Sequence, residues 1–429
     1  MGAKGKEGKA VELGAIDAAP RRCRVAAHCP VFRIDPMTLA HGRPYLAIPG
    51  PSVMPDRVLR AMHRAAPNIY TGELHDLTHS LIPDLKEVAR TDQNVAIYIG
   101  NGHAAWEAAL SNVLSPGDTV LVLATGRFCI GWGVMAAGLG CKVQTIDYGA
   151  QSDIDLDRVA AALKADTGGA IKAVLAVHVD TSTSVRNDIA GLRPTIDACG
   201  HPALLLVDCI ASLGCDRFEM DAWGVDVMVA ASQKGLMTPP GLGFVWFNDR
   251  AARAREVARC VTTYWDWKPR VNPDQYFMYF DGTAPTHHLY GLREALDMIA
   301  EEGIEAVWAR HATLARTIWA ACEGWGQTGP LVLNIADRAK RSHSVTSIAI
   351  GTPAGDDLRA WCENTCGVTL GIGLGREPAG GYFRVGHMGH VNAHMVLGVL
   401  GVIDAGLKAL KIPHGTGALA AATDIVAAA

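Results

Sequence analysis

Residues 203–247 read ALLLVDCIASLGCDRFEMDAWGVDVMVAASQKGLMTPPGLGFVWF. Three short apolar runs, Leu204–Val207, Val225–Ala230 and Gly243–Phe247, are bounded by turn residues, the pattern of buried strands. Asp208 and Lys234 then fall at or just past strand ends, where α/β proteins place their chemistry. One is a fixed anion. The other is an amine that a protein can tune into a nucleophile. The pair suggests an organic cofactor that reacts with a lysine; the plain alternative is an Asp and a Lys in ordinary loops.

Working outward, four more strand candidates precede this stretch: Val95–Ile99, Thr119–Ala124, Val143–Tyr148 and Ala173–Val179. Helical stretches separate most of them, including Ala104–Val113 and Ile154–Lys164. Seven strands in this rhythm imply a mostly parallel sheet covered on both faces. The loop Gly100-Asn101-Gly102-His103 joins a strand to a helix N-terminus, an arrangement that suits an anion but lacks the full dinucleotide fingerprint. Phe128, just after the second strand, either stacks on a planar ring or fills core. Thr181, Ser182 and Thr183 either bond a polar ring substituent or cap a helix. Pro49-Gly50-Pro51-Ser52 is a fixed turn whose backbone either approaches a ligand or simply reverses the chain.

Asp56–Ala65 and Leu81–Ala89 have helical spacing, and Pro67–His79 between them reads as irregular and polar. Downstream, His288–Gly303 and Val307–Trp325 are long helical patterns leading to a second region with strands Ser344–Ile350 and Tyr382–Val385 and helices Asp356–Cys366 and Leu397–Leu410. The expected organisation is an α/β chain: an N-terminal extension or arm over 1–46, a large domain over 47–303, a smaller C-terminal α+β domain over 304–412 and a tail over 413–429.

Bulk properties narrow the function. The chain has 429 residues, 49% hydrophobic and 19% charged, enough for a sizeable core. Its 39 basic and 43 acidic residues leave a charge of −4 and no footprint for nucleic acid. Eleven cysteines without CxxC spacing argue against a disulfide framework or zinc ribbon and point to a reducing cytoplasm. No apolar run is long enough to span a bilayer, and the N-terminus lacks the apolar core of a secretory signal. His387, His390 and His394 carry no patterned carboxylate or cysteine, so no metal site is expected.

An anion cup, an aromatic, hydroxyls, a carboxylate and a lysine on one sheet edge are what pyridoxal 5′-phosphate needs: N–H donors for its phosphate, a ring partner, an acid for the pyridine nitrogen and an amine for its aldehyde. The collinear segments Pro49–Ser52, Gly100–His103 with Glu107–Leu110, Pro116–Asp118, Val207–Gly214, Ser232–Lys234 with Pro239–Gly241, Tyr290–Leu296, Gly371–Gly375 and Phe383–Gly389 resemble the class V, fold-type I aminotransferases, in particular the serine–glyoxylate and alanine–glyoxylate group. The resemblance runs from about Ala47 to Leu410. It implies that Lys234 carries the cofactor as a Schiff base and moves the substrate proton, and that Asp208 pairs with the pyridinium nitrogen. It implies that Phe128 stacks on the ring, that Thr181 contacts the cofactor, and that Gly102, His103 and Gln233 hold the phosphate. Thr283 and Tyr279 would complete the phosphate site of a neighbouring subunit in a homodimer or dimer of dimers. Arg384, with Gly50 and Ser52 nearby, would hold the substrate, the guanidinium clamping the α-carboxylate.

The implied reaction is a ping-pong transfer of an amino group from serine or alanine to a 2-oxo acid, glyoxylate first. The chain departs from the resemblance at His390 and at Asn68–Glu73, which bear on the amino donor. Alternatives are another donor such as aspartate, and pyridoxamine–pyruvate aminotransferase, whose arginine motif is similar to Arg384–Gly389. A nucleotide-dependent oxidoreductase is the alternative of a different class.

Overall fold

The computed structural model describes residues 38–429. The Lys- and Arg-containing extension before residue 38 lies outside the described residues. The strands in chain order are β1 (Tyr45–Ala47), β2 (Asn94–Gly100), β3 (Thr119–Ala124), β4 (Lys142–Asp147), β5 (Ile171–Val177), β6 (Leu204–Asp208), β7 (Val227–Ala231), β8 (Gly241–Phe247), β9 (Val332–Leu333), β10 (Val345–Ala349), β11 (Val368–Ile372) and β12 (Tyr382–Gly386).

Among the described residues, seven strands form one sheet in the order β2-β8-β7-β6-β5-β3-β4. β4, β3, β5, β6 and β7 are mutually parallel, whereas β8 runs antiparallel to both β7 and β2. Chain length explains the reversal. The connection Ser232–Pro240 is shorter than the dozen or so residues that a parallel crossover takes. Two antiparallel steps bring β2 back to the common direction, so Gly100 ends on the same edge as β3, β5, β6 and β7.

Alternate residues enter separate cores on the two faces. Val95 and Ile97 join one cluster with Leu205 and Val207, and Ala96 and Tyr98 join the other with Leu204 and Leu206. Burial on both faces is why these strands read as unbroken apolar runs.

The second sheet has the order β1-β11-β12-β10-β9. Its first strand departs from the expected division at residue 47: Tyr45–Ala47 pairs parallel with Val368–Leu370, so this segment contributes an edge strand rather than belonging to an arm. The segment after residue 412 is also more than a tail. Ala418–Ala427 is a helix whose buried Ala418 and Ala422 join the core of the second sheet, against the helix Ile304–Gly326. A Cβ on Gly324 would lie 2.7 Å from the Ala418 backbone, so these helices approach through small residues. Gly303, at φ +83°, separates that long helix from the preceding one, Thr286–Glu302.

The expected irregular stretch Pro67–His79 is corrected in its second half. A helix runs over Glu73–Ala89, burying Leu74, Leu81, Leu85 and Val88 at helical spacing, with polar residues such as His75, Asp76 and His79 filling the rest of its first turns. β11 has no counterpart in the sequence reading, because two glycines interrupt its apolar pattern in Val368-Thr369-Leu370-Gly371-Ile372-Gly373.

Candidate active site

One cavity of about 240 Å³ opens on the shared edge of the large sheet, lined by Gly102, His103, Phe128, Thr181, Asp208, Gln233 and Lys234 along with Trp106. Seven of the residues singled out in the sequence therefore converge. A larger cavity of about 670 Å³ lies beside the helices Asp56–Met62 and Ala393–Ala409, with Arg57, Arg60, His390 and His394 in its wall. It holds neither the lysine nor the buried acid, and we place the chemistry in the smaller one.

Lys234 sits in the turn after β7. Its amine donates to the Pro49 carbonyl. Burial, reinforced by the charge of Arg384 and opposed by Asp208, lowers its pKa to about 8. Desolvation disfavours the ammonium, and a neutral amine is the form that attacks a carbonyl. Gly50 is required beside it. Its φ is +88°, and a Cβ there would lie 2.5 Å from Lys234 Cδ and Nζ. Ser52 holds the same loop: its hydroxyl donates to the Lys234 carbonyl at 2.7 Å and its N–H to the Gln233 carbonyl at 2.8 Å. Ser52 thus supports the lysine, with its hydroxyl already engaged.

Asp208 ends β6, 3% exposed, and burial pushes its pKa up to about 7. The Ile210 N–H donates to its Oδ1 at 2.6 Å, and the Trp106 indole N–H donates to its Oδ2 at 2.9 Å. Both donors favour the carboxylate against the cost of burial.

The cup differs in detail from the sequence reading. Asn101 caps the helix Gly102–Val113, its side chain accepting from the N–H groups of His103 at 3.0 Å and Ala104 at 3.3 Å. Two of the N–H groups expected to face an anion are therefore occupied, because an Asn at the N-cap reaches them first. The buried Oε1 of Gln233 has no hydrogen-bond partner.

Phe128 is set by a residue that no sequence pattern marked as functional. Asp180 is fully buried and accepts from the Phe128 N–H at 2.9 Å. Its other oxygen accepts from the Ser182 N–H at 2.9 Å and from the Ser182 hydroxyl. The helix Arg127–Gly138 starts after Gly126, which has no side chain to cap it, and the Asp180 carboxylate occupies the space a Cβ would need, 2.4 Å away. Asp180 is thus a cap supplied from the loop that follows β5.

Arg384, in β12, is 5% exposed and reaches across from the second sheet. Its Nε donates to the Ile372 carbonyl and its Nη1 to the Thr181 carbonyl, both at 2.7 Å. Burial lowers its pKa to about 10, which leaves it charged at neutral pH. Tyr279 and Thr283 do not line the cavity: Tyr279 packs edge-on to His79, and Thr283 is exposed.

His387 donates from Nδ1 to the His343 carbonyl and accepts from the Thr346 hydroxyl, both at 2.9 Å. Among the described residues no group of three or more His, Cys, Asp or Glu is arranged to hold a metal ion. No helix among them is long and apolar enough to cross a membrane.

Sequence reasoning missed Trp106. The signal was available: four residues after Gly102 on a helix, it shares the face that meets the cavity.

The family profile described as Aminotransferase class-V matches residues 45–385, which span both sheets and every residue of the cavity. The chain belongs to the class-V aminotransferases. It is 37% identical to the serine–glyoxylate aminotransferase of Methylorubrum extorquens over 89% of this chain and 96% of that one. It is 34% identical to the L-aspartate–glyoxylate aminotransferase of Paracoccus denitrificans, over 87% and 94%. The crystal structure of pyridoxamine–pyruvate aminotransferase from Mesorhizobium loti superposes with a TM-score of 0.80 at 26% identity, covering 90% of this chain and 98% of that one. This class-V aminotransferase shares its two-sheet architecture with such enzymes, and membership sets aside the nucleotide-dependent oxidoreductase.

Proposed function

We propose that this aminotransferase takes an amino group from a small amino acid, serine or alanine, and delivers it to glyoxylate in a ping-pong reaction. The observation that carries the reading is Lys234 and Asp208 in the wall of one cavity, with Arg384 bonded to the Thr181 carbonyl of that wall and near enough for its charge to lower the Lys234 pKa. The 37% identity to a serine–glyoxylate aminotransferase supports the substrate pair.

Family membership implies pyridoxal phosphate, and the residues present fit it. A lowered-pKa amine and a buried acid line one cavity, beside a strand-to-helix turn of small residues and the ring of Phe128. When bound, the cofactor supplies the electron sink that makes the substrate Cα–H acidic. Lys234 would hold it covalently and, once displaced by the incoming amine, carry the proton removed from the substrate Cα. Asp208 would keep the ring nitrogen protonated. Phe128, pinned by Asp180, would lie against the ring, and Thr181 would contact it. Gly102, His103 and Gln233 would hold the phosphate. Arg384 would bind the α-carboxylate common to amino donor and oxo acid, so one guanidinium serves both half-reactions.

Tyr279 and Thr283 lie outside the lining of their own cavity and Thr283 is exposed, an arrangement compatible with a homodimer in which they complete the neighbour's phosphate site. The test of the function is a panel of serine, alanine, aspartate and pyridoxamine against glyoxylate and pyruvate. Serine or alanine with glyoxylate should give the highest kcat/KM. Preference for aspartate or pyridoxamine would replace the donor.

A further inference from the structure

We propose that Trp106 is a positioning residue for Asp208, its indole N–H keeping the carboxylate ionised and in one orientation for the ring nitrogen it serves. This rests on reading the cavity as a pyridoxal phosphate site. Trp106 is 1% exposed. Its indole nitrogen can only donate, and it donates to Asp208 Oδ2 at 2.9 Å. With the Ile210 N–H on Oδ1 at 2.6 Å, each carboxylate oxygen has one fixed donor, so rotation of the group breaks both bonds.

The indole is itself held. It stacks on Trp132 with centroids 6.0 Å apart and planes 19° apart, and Phe128 meets it edge-on at 6.2 Å. The Trp132 N–H donates back to the Trp106 carbonyl at 3.3 Å. One aromatic frame therefore sets both Phe128 and the carboxylate.

The charge balance around Asp208 gives this bond its importance. Burial and the neighbouring carboxylate of Asp180 oppose ionisation. Lys234 favours it, and the buried thiols of Cys129 and Cys209 lie close by. A hydrogen bond to a charged acceptor is stronger than one to its neutral form, so each donor biases the acid toward the carboxylate. Only a carboxylate can pair with a protonated ring nitrogen.

The test compares wild type, Trp106→Phe and Trp132→Phe as cofactor-loaded full-length chains. Trp106→Phe keeps an aromatic ring and deletes the N–H. Trp132→Phe disturbs the stack without touching the acid. Trp106→Phe should bind pyridoxal phosphate at least about tenfold more weakly, the effect of one bond to a charged group. The acid limb of its kcat–pH profile should move to higher pH by about one unit. Trp132→Phe should leave that limb in place. Unchanged affinity and acid limb in Trp106→Phe, or an equal shift in Trp132→Phe, overturns the proposal while leaving the cofactor reading intact. A wild type that gains no borohydride-reducible absorbance band with pyridoxal phosphate overturns the cofactor reading and the proposal with it. If Trp106→Phe does not fold, the indole proton of Trp106 in wild-type apoprotein, assigned through its contacts with Phe128 and His103, decides. It should move when Asp208 is replaced in Asp208→Asn, and a signal unmoved by that substitution overturns the proposal.

Discussion

Replacing Arg384 separates the geometry of the clamp from its charge. Two of the guanidinium nitrogens are committed, Nε to Ile372 and Nη1 to Thr181. Among the described residues Nη2 makes no hydrogen bond, and the fork is fixed with that nitrogen free. Lysine at this position keeps the charge but has one ammonium, which cannot serve two carbonyls and a substrate carboxylate together. A hydrogen bond between charged partners contributes about 1.5–3 kcal/mol, so Arg384→Lys should lower kcat/KM by roughly 10- to 150-fold. The loss should be similar for the amino donor and the oxo acid, because both present the same carboxylate. The pKa of Lys234 should stay near 8 in Arg384→Lys, because a positive charge remains, and should rise in Arg384→Gln. Steady-state kinetics with serine and glyoxylate measure the first effect. The pH dependence of cofactor attachment to apoenzyme measures the second. Unaltered kcat/KM in Arg384→Lys, or a loss confined to one substrate, would refute the shared clamp.

Gly50→Ala puts a methyl where the Lys234 side chain lies, so the lysine must shift. A displacement of about 1 Å costs on the order of 100-fold in rate, and far-UV circular dichroism should be unchanged while turnover falls. Asp180→Asn keeps one acceptor oxygen and places an NH₂ at the other position, leaving either the Phe128 N–H or the Ser182 pair unsatisfied. Urea unfolding should show a loss of about 1–3 kcal/mol, and an undiminished stability would remove Asp180 as the cap. His178, His311 and His387 are buried, with pKa values lowered by burial to about 4, 3 and 4. The unfolded chain therefore binds more protons than the native one. Their contribution is complete above about pH 6.5 and is lost as pH falls through about 4, at about 1.4 kcal/mol per pH unit for each. Denaturation midpoints at pH 7 and pH 5 check this, and equal midpoints would contradict it.

The large sheet was legible because its strands, apart from the exposed edge strand β4, are buried on both faces and so leave nearly uninterrupted apolar runs, from Val95–Ile99 to Gly243–Phe247. The second sheet was less so. β11 contains glycine where Pro49 and Arg384 pack closely, and that spacing conceals a strand. β1 owes its place to pairing with a strand more than three hundred residues away, which no local pattern announces. The same holds within the site. Lys234 and Asp208 could be found from strand ends, because topology fixes where strand ends meet. Trp106 and Asp180 act through contacts across elements, one to Asp208 and one to Phe128, and only the folded chain brings those atoms together. The Asn101 cap was written in the sequence as an Asn before a helix, and reading the loop as an open cup passed over it.

The account stands on Lys234 as the covalent anchor of the cofactor. Pyridoxal phosphate added to the purified full chain, followed by borohydride reduction, proteolysis and mass spectrometry, locates the attachment directly. One phosphopyridoxyl group on Lys234 is the predicted result, with none in Lys234→Ala. Modification spread over other lysines, or the same labelling in Lys234→Ala, would contradict it.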